Sequence, residues 1–219
     1  RNITVDLGHK LDEKDAKKAI ANHRSLPKGT KFAWSKETNG TPDTSTVGKE
    51  KSGKVIVTIP TNDKNHPRVE TVAVKVTVRD NESPKVAIQQ KGDGGTYNTI
   101  DPGYPDGPKY PPVFTITTYR GDKNDIKITA TDNSGEVTTL TLTPKTPGET
   151  EKAPTGTGAT ADPKTLTLDG TTPLNTKPGE YTRTLKAVDP SGNPNEVTVK
   201  FIVKPQSDKY GDVKGTPVT

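Results

Sequence analysis

Val69-Glu70-Thr71-Val72-Ala73-Val74-Lys75-Val76-Thr77-Val78 decides the fold class. Val72, Val74, Val76 and Val78 fall on one face, with Ala73, Lys75, Thr77 and Arg79 on the other. That period of two is what a half-buried strand demands. The run Val55-Ile56-Val57-Thr58-Ile59 reads as a second strand, and residues 60–67 as the polar turn between them. Upstream, residues 12–23 carry a helical pattern: Asp12 caps it, and Ala16, Ala19, Ile20 and His23 share one face. Leu26-Pro27 ends it, because the residue before a proline is pushed out of the helical region. A small strand-rich module with one short helix is expected over residues 1–82.

Asp80-Asn81-Glu82-Ser83-Pro84 is a polar break ending on proline. Beyond it the chain reads as β throughout, with strands expected near 86–88, 113–118, 126–131, 137–142, 166–168, 181–188 and 197–203. Short strands separated by Gly, Pro, Asn and Asp turns predict an immunoglobulin-like β-sandwich over residues 83–205. Two segments echo one another, Ala130-Thr131-Asp132-Asn133-Ser134-Gly135 and Ala187-Val188-Asp189-Pro190-Ser191-Gly192. An Asp followed by Gly three residues later is turn chemistry, and both are read as hairpins. Tyr104-Pro105-Asp106-Gly107 is a further turn. The polar stretches 92–112 and 143–163 are long enough to be functional or mobile loops.

Composition narrows the function classes. Hydrophobic residues are 26% of the 219, yet net charge is only +5 and Val, Ile and Thr dominate the runs, which fits thin sandwiches better than a disordered tail. Without Cys there are no disulfides, thiolate metal sites or cysteine nucleophiles. Aromatics are 5% of the chain, too few for a base-stacking platform, so no nucleic acid partner is expected. No apolar run approaches the roughly 18 residues of a membrane span. His9, His23 and His66 lack metalloprotease spacing and no nucleophile motif accompanies them, so the chain reads as no enzyme. It opens on Arg1 and closes in the polar run 207–219, and is expected to be a monomeric piece of a longer exported protein, with 206–219 linking to a following module.

Residues 15–22, Leu26-Pro27-Lys28-Gly29-Thr30, residues 41–49 and the closing Val-rich strand occur in the order that characterises the Rib domain of Gram-positive surface proteins. The first module resembles that family, which implies a stalk unit in a protein anchored to the bacterial cell wall. Residues 130–135 and 181–203 resemble the cadherin-like, immunoglobulin-type domains of bacterial adhesins. Pro178-Gly179-Glu180-Tyr181-Thr182-Arg183-Thr184 is similar to the Siglec-like strand of serine-rich-repeat adhesins, in which a hydrophobic-Thr-Arg-x motif grips sialic acid one strand before the last. The resemblance implies that Tyr181, Thr182, Arg183 and Thr184 bind a sialoglycan on host glycoproteins. The other reading is a purely structural spacer that projects a separate head.

The residues supply their own reason to single out Arg183. Alternation puts Tyr181, Arg183, Leu185 and Ala187 in one row, so an arginine sits among the residues best suited to the core. Arginine is almost never fully buried unpaired, so Arg183 must lie near a strand end, meet an acidic partner or bind an anion. Its planar guanidinium gives a carboxylate a bidentate grip that lysine cannot copy. No metal or other cofactor is required; Asp80, Asp132 and Asp189 are the candidates for Ca2+, which wants six to eight oxygens, but turn-capping explains them without an ion.

Overall fold

The computed structural model describes residues 2–145, 154–156 and 163–218. The chain is mainly β and forms two compact units, Arg1–Asn81 and Glu82–Thr219.

In the first unit, β1 (Asn2–Asp6), β2 (Lys31–Trp34), β3 (Gly48–Ile59) and β4 (Arg68–Arg79) form one sheet in the order β1-β4-β3-β2. The strands expected at 55–59 and 69–78 are both present and longer, paired antiparallel with Val55 opposite Val72. Val74, Val76 and Val78 are buried while Ala73, Lys75 and Arg79 are exposed, as the alternation requires. β1 adds parallel to β4, Ile3 opposite Val76, and neither it nor β2 was expected from the sequence.

Helix α1 (Glu13–Ala19) packs Ala16 and Ala19, with the following Ile20, against Phe32, Val55, Val57 and Val74. It is shorter than residues 12–23. Ile20 adopts extended dihedrals (φ −88°, ψ 114°), and His23–Ser25 forms a separate 3-10 turn. The start of the helix is a reciprocal cap. The Asp15 N–H donates to Asp12 Oδ1 at 3.0 Å, and the Asp12 N–H donates to Asp15 Oδ2 at 3.1 Å. His9 Nε2 reaches the same Asp15 oxygen at 2.8 Å, and Trp34 Nε1 donates to the Asp12 carbonyl at 2.9 Å, tying the cap to β2.

The second unit is a sandwich of two four-stranded sheets. One runs β10 (Lys164–Leu168), β8 (Ile126–Thr131), β5 (Lys85–Lys91), β6 (Tyr97–Thr99); the other runs β7 (Val113–Tyr119), β12 (Pro194–Lys204), β11 (Gly179–Val188), β9 (Thr139–Pro144). Ile88, Ile116, Ile126, Ile128, Leu185 and Phe201 fill the space between them. Two expectations change. Only the segment after Ala187 is a hairpin, joining β11 to its neighbour β12. The one after Ala130 carries the chain from the first sheet to the second, since β8 and β9 do not pair. Both keep the Asp-to-Gly turn, with Gly135 and Gly192 at φ +80° and +87°, where a side chain would be strained. Residues 206–210, expected in a linker, instead fold onto this unit through the short helix α2 (Ser207–Tyr210), whose Lys209 bonds Asp93 and Asp122. Much of the loop expected at 143–163 lies outside the described residues.

Asp15 makes the first unit sensitive to acid. Burial, at 8% exposure, pushes its carboxyl up, but the hydrogen bonds from His9 and Asp12 and the charge of His9 outweigh this and hold it below its ordinary 3.8. A depressed folded value stabilises the unit above pH 3.8 and is lost as pH falls through it. Urea unfolding followed by fluorescence of Trp34, the single tryptophan, should show the midpoint dropping in that acidic window. Asp15→Asn should lose about 1 kcal/mol at neutral pH and show a shallower acid decline. An unchanged decline would assign the acid sensitivity elsewhere.

Candidate functional site

β11 is an interior strand, bonded on one side to β12 and on the other to β9. Arg183 is its fifth residue, opposite Val199 of β12 and opposite Pro144, the last residue of β9. It therefore lies mid-strand in β11, yet at the point where the neighbouring edge strand stops. The strand period turns Arg183 inward with Leu185 and Ala187, and it is 3% exposed.

The ring of Phe201 and a carbonyl of the β9–β10 connection are among the groups that meet the guanidinium. Its carbon lies 5.3 Å from the centre of the Phe201 ring, within cation–π range. Its Nη1 donates to the Pro154 carbonyl at 3.1 Å. Pro154 belongs to the long β9–β10 connection, and that segment is pinned by the Gly170 N–H donating to the Thr155 carbonyl. Gly156 is pressed so closely against β10 that an added Cβ would collide with the Thr167 carbonyl.

The four motif residues divide between two faces. Tyr181 and Arg183 point inward, and the Tyr181 hydroxyl is fixed by donating to the Lys177 carbonyl at 2.6 Å. Thr182 and Thr184 are half-buried on the opposite face, and the Thr182 carbonyl accepts from the Lys145 N–H. The alternation in the sequence already implied this split.

Comparisons with known proteins agree with this architecture. Residues 1–80 match the Rib domain family, and residues 108–209 match the GspA/SrpA SigLec-like domain family. The chain joins a Rib domain to a Siglec-like domain. Its first unit is 36% identical to a Rib domain from Streptococcus pyogenes over 36% of this chain and 85% of that one (TM-score 0.27). A mutant of the SrpA adhesin from Streptococcus sanguinis is 22% identical over 60% of this chain and 63% of that one (TM-score 0.39). The sialic acid binding region of a Streptococcus sanguinis adhesin, bound to 3'sLn, is 20% identical over 91% of this chain and 44% of that one (TM-score 0.37). The chain thus spans about 63% of the length of the SrpA structure it matches. No curated protein matches it.

The aspartates occupy two units. Asp80 follows β4 in the first unit and is buried. In the second unit, the turns after β8 and β11 bring carboxylate oxygens of Asp132 and Asp189 within 4.8 Å of one another. Asp189, 1% exposed, accepts from the Asn193 N–H at 2.8 Å and from Asn193 Nδ2 at 2.7 Å. Asp132 Oδ2 accepts from the Ser134 N–H and hydroxyl, while its buried Oδ1 has no hydrogen-bond partner among the described residues. These converging oxygens are where the second unit could hold Ca2+. Millimolar Ca2+ is expected to raise the melting temperature of the chain by a few degrees and to leave Asp189→Asn unmoved. Equal melting in Ca2+ and in chelator would reduce both residues to turn caps.

Proposed function

We propose that the second unit is the glycan-binding module of a bacterial surface protein, that it takes terminal sialic acid on host glycoproteins, and that the first unit is the spacer carrying it from the cell wall. The observation that carries this reading is Arg183: a guanidinium in the core-facing row of an interior strand, level with the end of β9. A neutral carbonyl from a connecting segment, Pro154, meets its Nη1. A ligand carboxylate in that position would exchange a neutral acceptor for a charged one, and charge-assisted bonds are about twice as strong. Phe201 lies under the guanidinium, and Tyr181, two residues earlier in the same row, is itself fixed by its bond to Lys177. The match to the Siglec-like family and the relative bound to a sialylated glycan support the choice of sugar.

Within the motif the division of faces assigns unequal roles. Arg183 would bind the carboxylate and Tyr181 would flank it. Thr182 and Thr184 would act through the strand that positions Arg183, because their side chains leave on the other face.

The test is titration with sialyllactose of wild type, Arg183→Lys and Arg183→Ala, with melting temperatures recorded for each. Loss of a charged hydrogen-bonding group of this kind costs about 1.5–3 kcal/mol, so Kd should weaken on the order of ten- to a hundredfold. Arg183→Lys keeps the charge and much of the packing, and should still lose the bidentate share of that affinity. Equal binding by all three proteins would remove Arg183 from the site. A folded wild type that binds no sialoside would favour the spacer reading.

A further inference from the structure

A second recess in the same unit lies apart from the Arg183 row. It has a volume of about 420 Å3, within the usual range for small-molecule sites. Its walls come from separated parts of the sequence: the end of β5 at Gln90, Asn98 of β6, Thr118 of β7, the β7–β8 loop and α2. The wall is pinned rather than loose. Lys209 Nζ bonds Asp93 at 2.8 Å and Asp122 at 3.1 Å, and Gln206 Nε2 donates to Asp122 at 3.0 Å. The ring of Tyr119 lies 5.2 Å from the same ammonium. Gln90 Nε2 donates across to the Thr117 carbonyl at 3.0 Å, linking the two sheets beneath the recess.

Two properties of this wall point to a ligand and to its class. Thr118 is 2% exposed and lines the recess, and its buried hydroxyl has no hydrogen-bond partner among the described residues. Leaving such a hydroxyl unmade costs about 1–3 kcal/mol, so a polar group from outside is the natural partner. The charges of the lining cancel: Lys91, Lys123 and Lys209 stand against Asp93, Asp122 and Asp125. Lys209 pairs with Asp93 and Asp122 and Lys91 with Asp125, so five of these six groups already engage one another and the exposed Lys123 balances the sum. What remains is a set of fixed donors and acceptors with little net field, beside the apolar side of Ile100.

We propose that this recess is a subsite for a neutral pyranose, with Thr118 and Asn98 hydrogen-bonding its hydroxyls. The lining offers an acidic sugar no net positive charge, in contrast to the carboxylate grip assigned to Arg183. The subsite does not depend on that assignment, and the two stand or fall separately.

The experiment is NMR titration of the labelled 219-residue chain. The probes are the methyl glycosides of galactose, mannose and N-acetylglucosamine, with sialyllactose in a separate series. At least one neutral glycoside should shift the resonances of Thr118, Asn98 and Lys209. Thr118→Val replaces a buried hydroxyl that has no partner among the described residues by a methyl of the same shape, so the variant should fold with a melting temperature no lower than the wild type's. It should bind that glycoside about fivefold or more weakly and leave the sialyllactose titration unaltered. Asn98→Ala, on the exposed lip, should weaken the neutral sugar alone in the same way. The proposal is overturned if no neutral glycoside perturbs these residues, if only sialyllactose does, or if both variants bind the neutral sugar as the wild type does.

Discussion

Successive side chains of a strand leave on opposite faces, and in β11 this forces an arginine into the row that builds the core. Leu185 and Ala187 have to point inward, beside Val197, Val199 and Phe201 of the neighbouring β12, to close the sandwich against Ile88, Ile126 and Ile128 of the facing sheet, so Arg183 points inward too. Turning it out would require a one-residue slip, which would expose every apolar residue of the strand. The surroundings of Arg183 follow from that constraint. An aromatic ring lies against its guanidinium, β9 stops level with it, and a connecting segment brings a carbonyl to it. A lysine would suit this place poorly, being a compact, strongly hydrated ion without a planar face to lay on a ring.

The same periodicity explains what could be read from the chain alone. Val72 to Val78 and Tyr181 to Val188 announce their inner faces because alternation is local. β1 does not: five residues, Asn2–Asp6, become a strand only by lying parallel to β4, more than seventy positions along the chain. β2 is four residues long and is held as an edge by β3 and by the Trp34 bond to the helix cap. The helix was legible from its apolar spacing but not its length, since the extended backbone at Ile20 serves packing against the sheet rather than helix propensity. The two Asp-to-Gly turns carry the same local chemistry, yet one closes a hairpin and the other changes sheets. The difference lies in where the next strand pairs: β12 finds β11 beside it, while β9 must reach β11 across a long gap in sequence.

The candidate sites divide in the same way. Arg183 stands out in sequence because a charge interrupts an apolar row, and Asp132 and Asp189 because they begin matching turns. The carbonyl that meets Arg183 carries no such mark, for Pro154 sits in a Thr-, Gly- and Pro-rich stretch without periodicity. The recess around Thr118 is harder still to foresee. Threonine at alternate positions of β7 reads as an ordinary strand, and only the return of α2 to the loops after β5 and β7 places Lys209 over the recess.

A chain with 26% hydrophobic residues closes thin cores, and the consequence appears at the edges of the second unit. Polar side chains that a thicker protein would leave in solvent are drawn to the margins of the sandwich, where each must meet a partner or bear the cost of burial. At one margin that pressure yields a buried cation with a neutral acceptor at its Nη1; at another it yields a set of charges that cancel around one unpartnered hydroxyl. On the two proposals, the first arrangement would take an anion and the second a neutral polyol. Both arise from the same shortage of apolar surface, so that on these proposals ligand recognition at the margins would be an extension of how the unit folds rather than an addition to it.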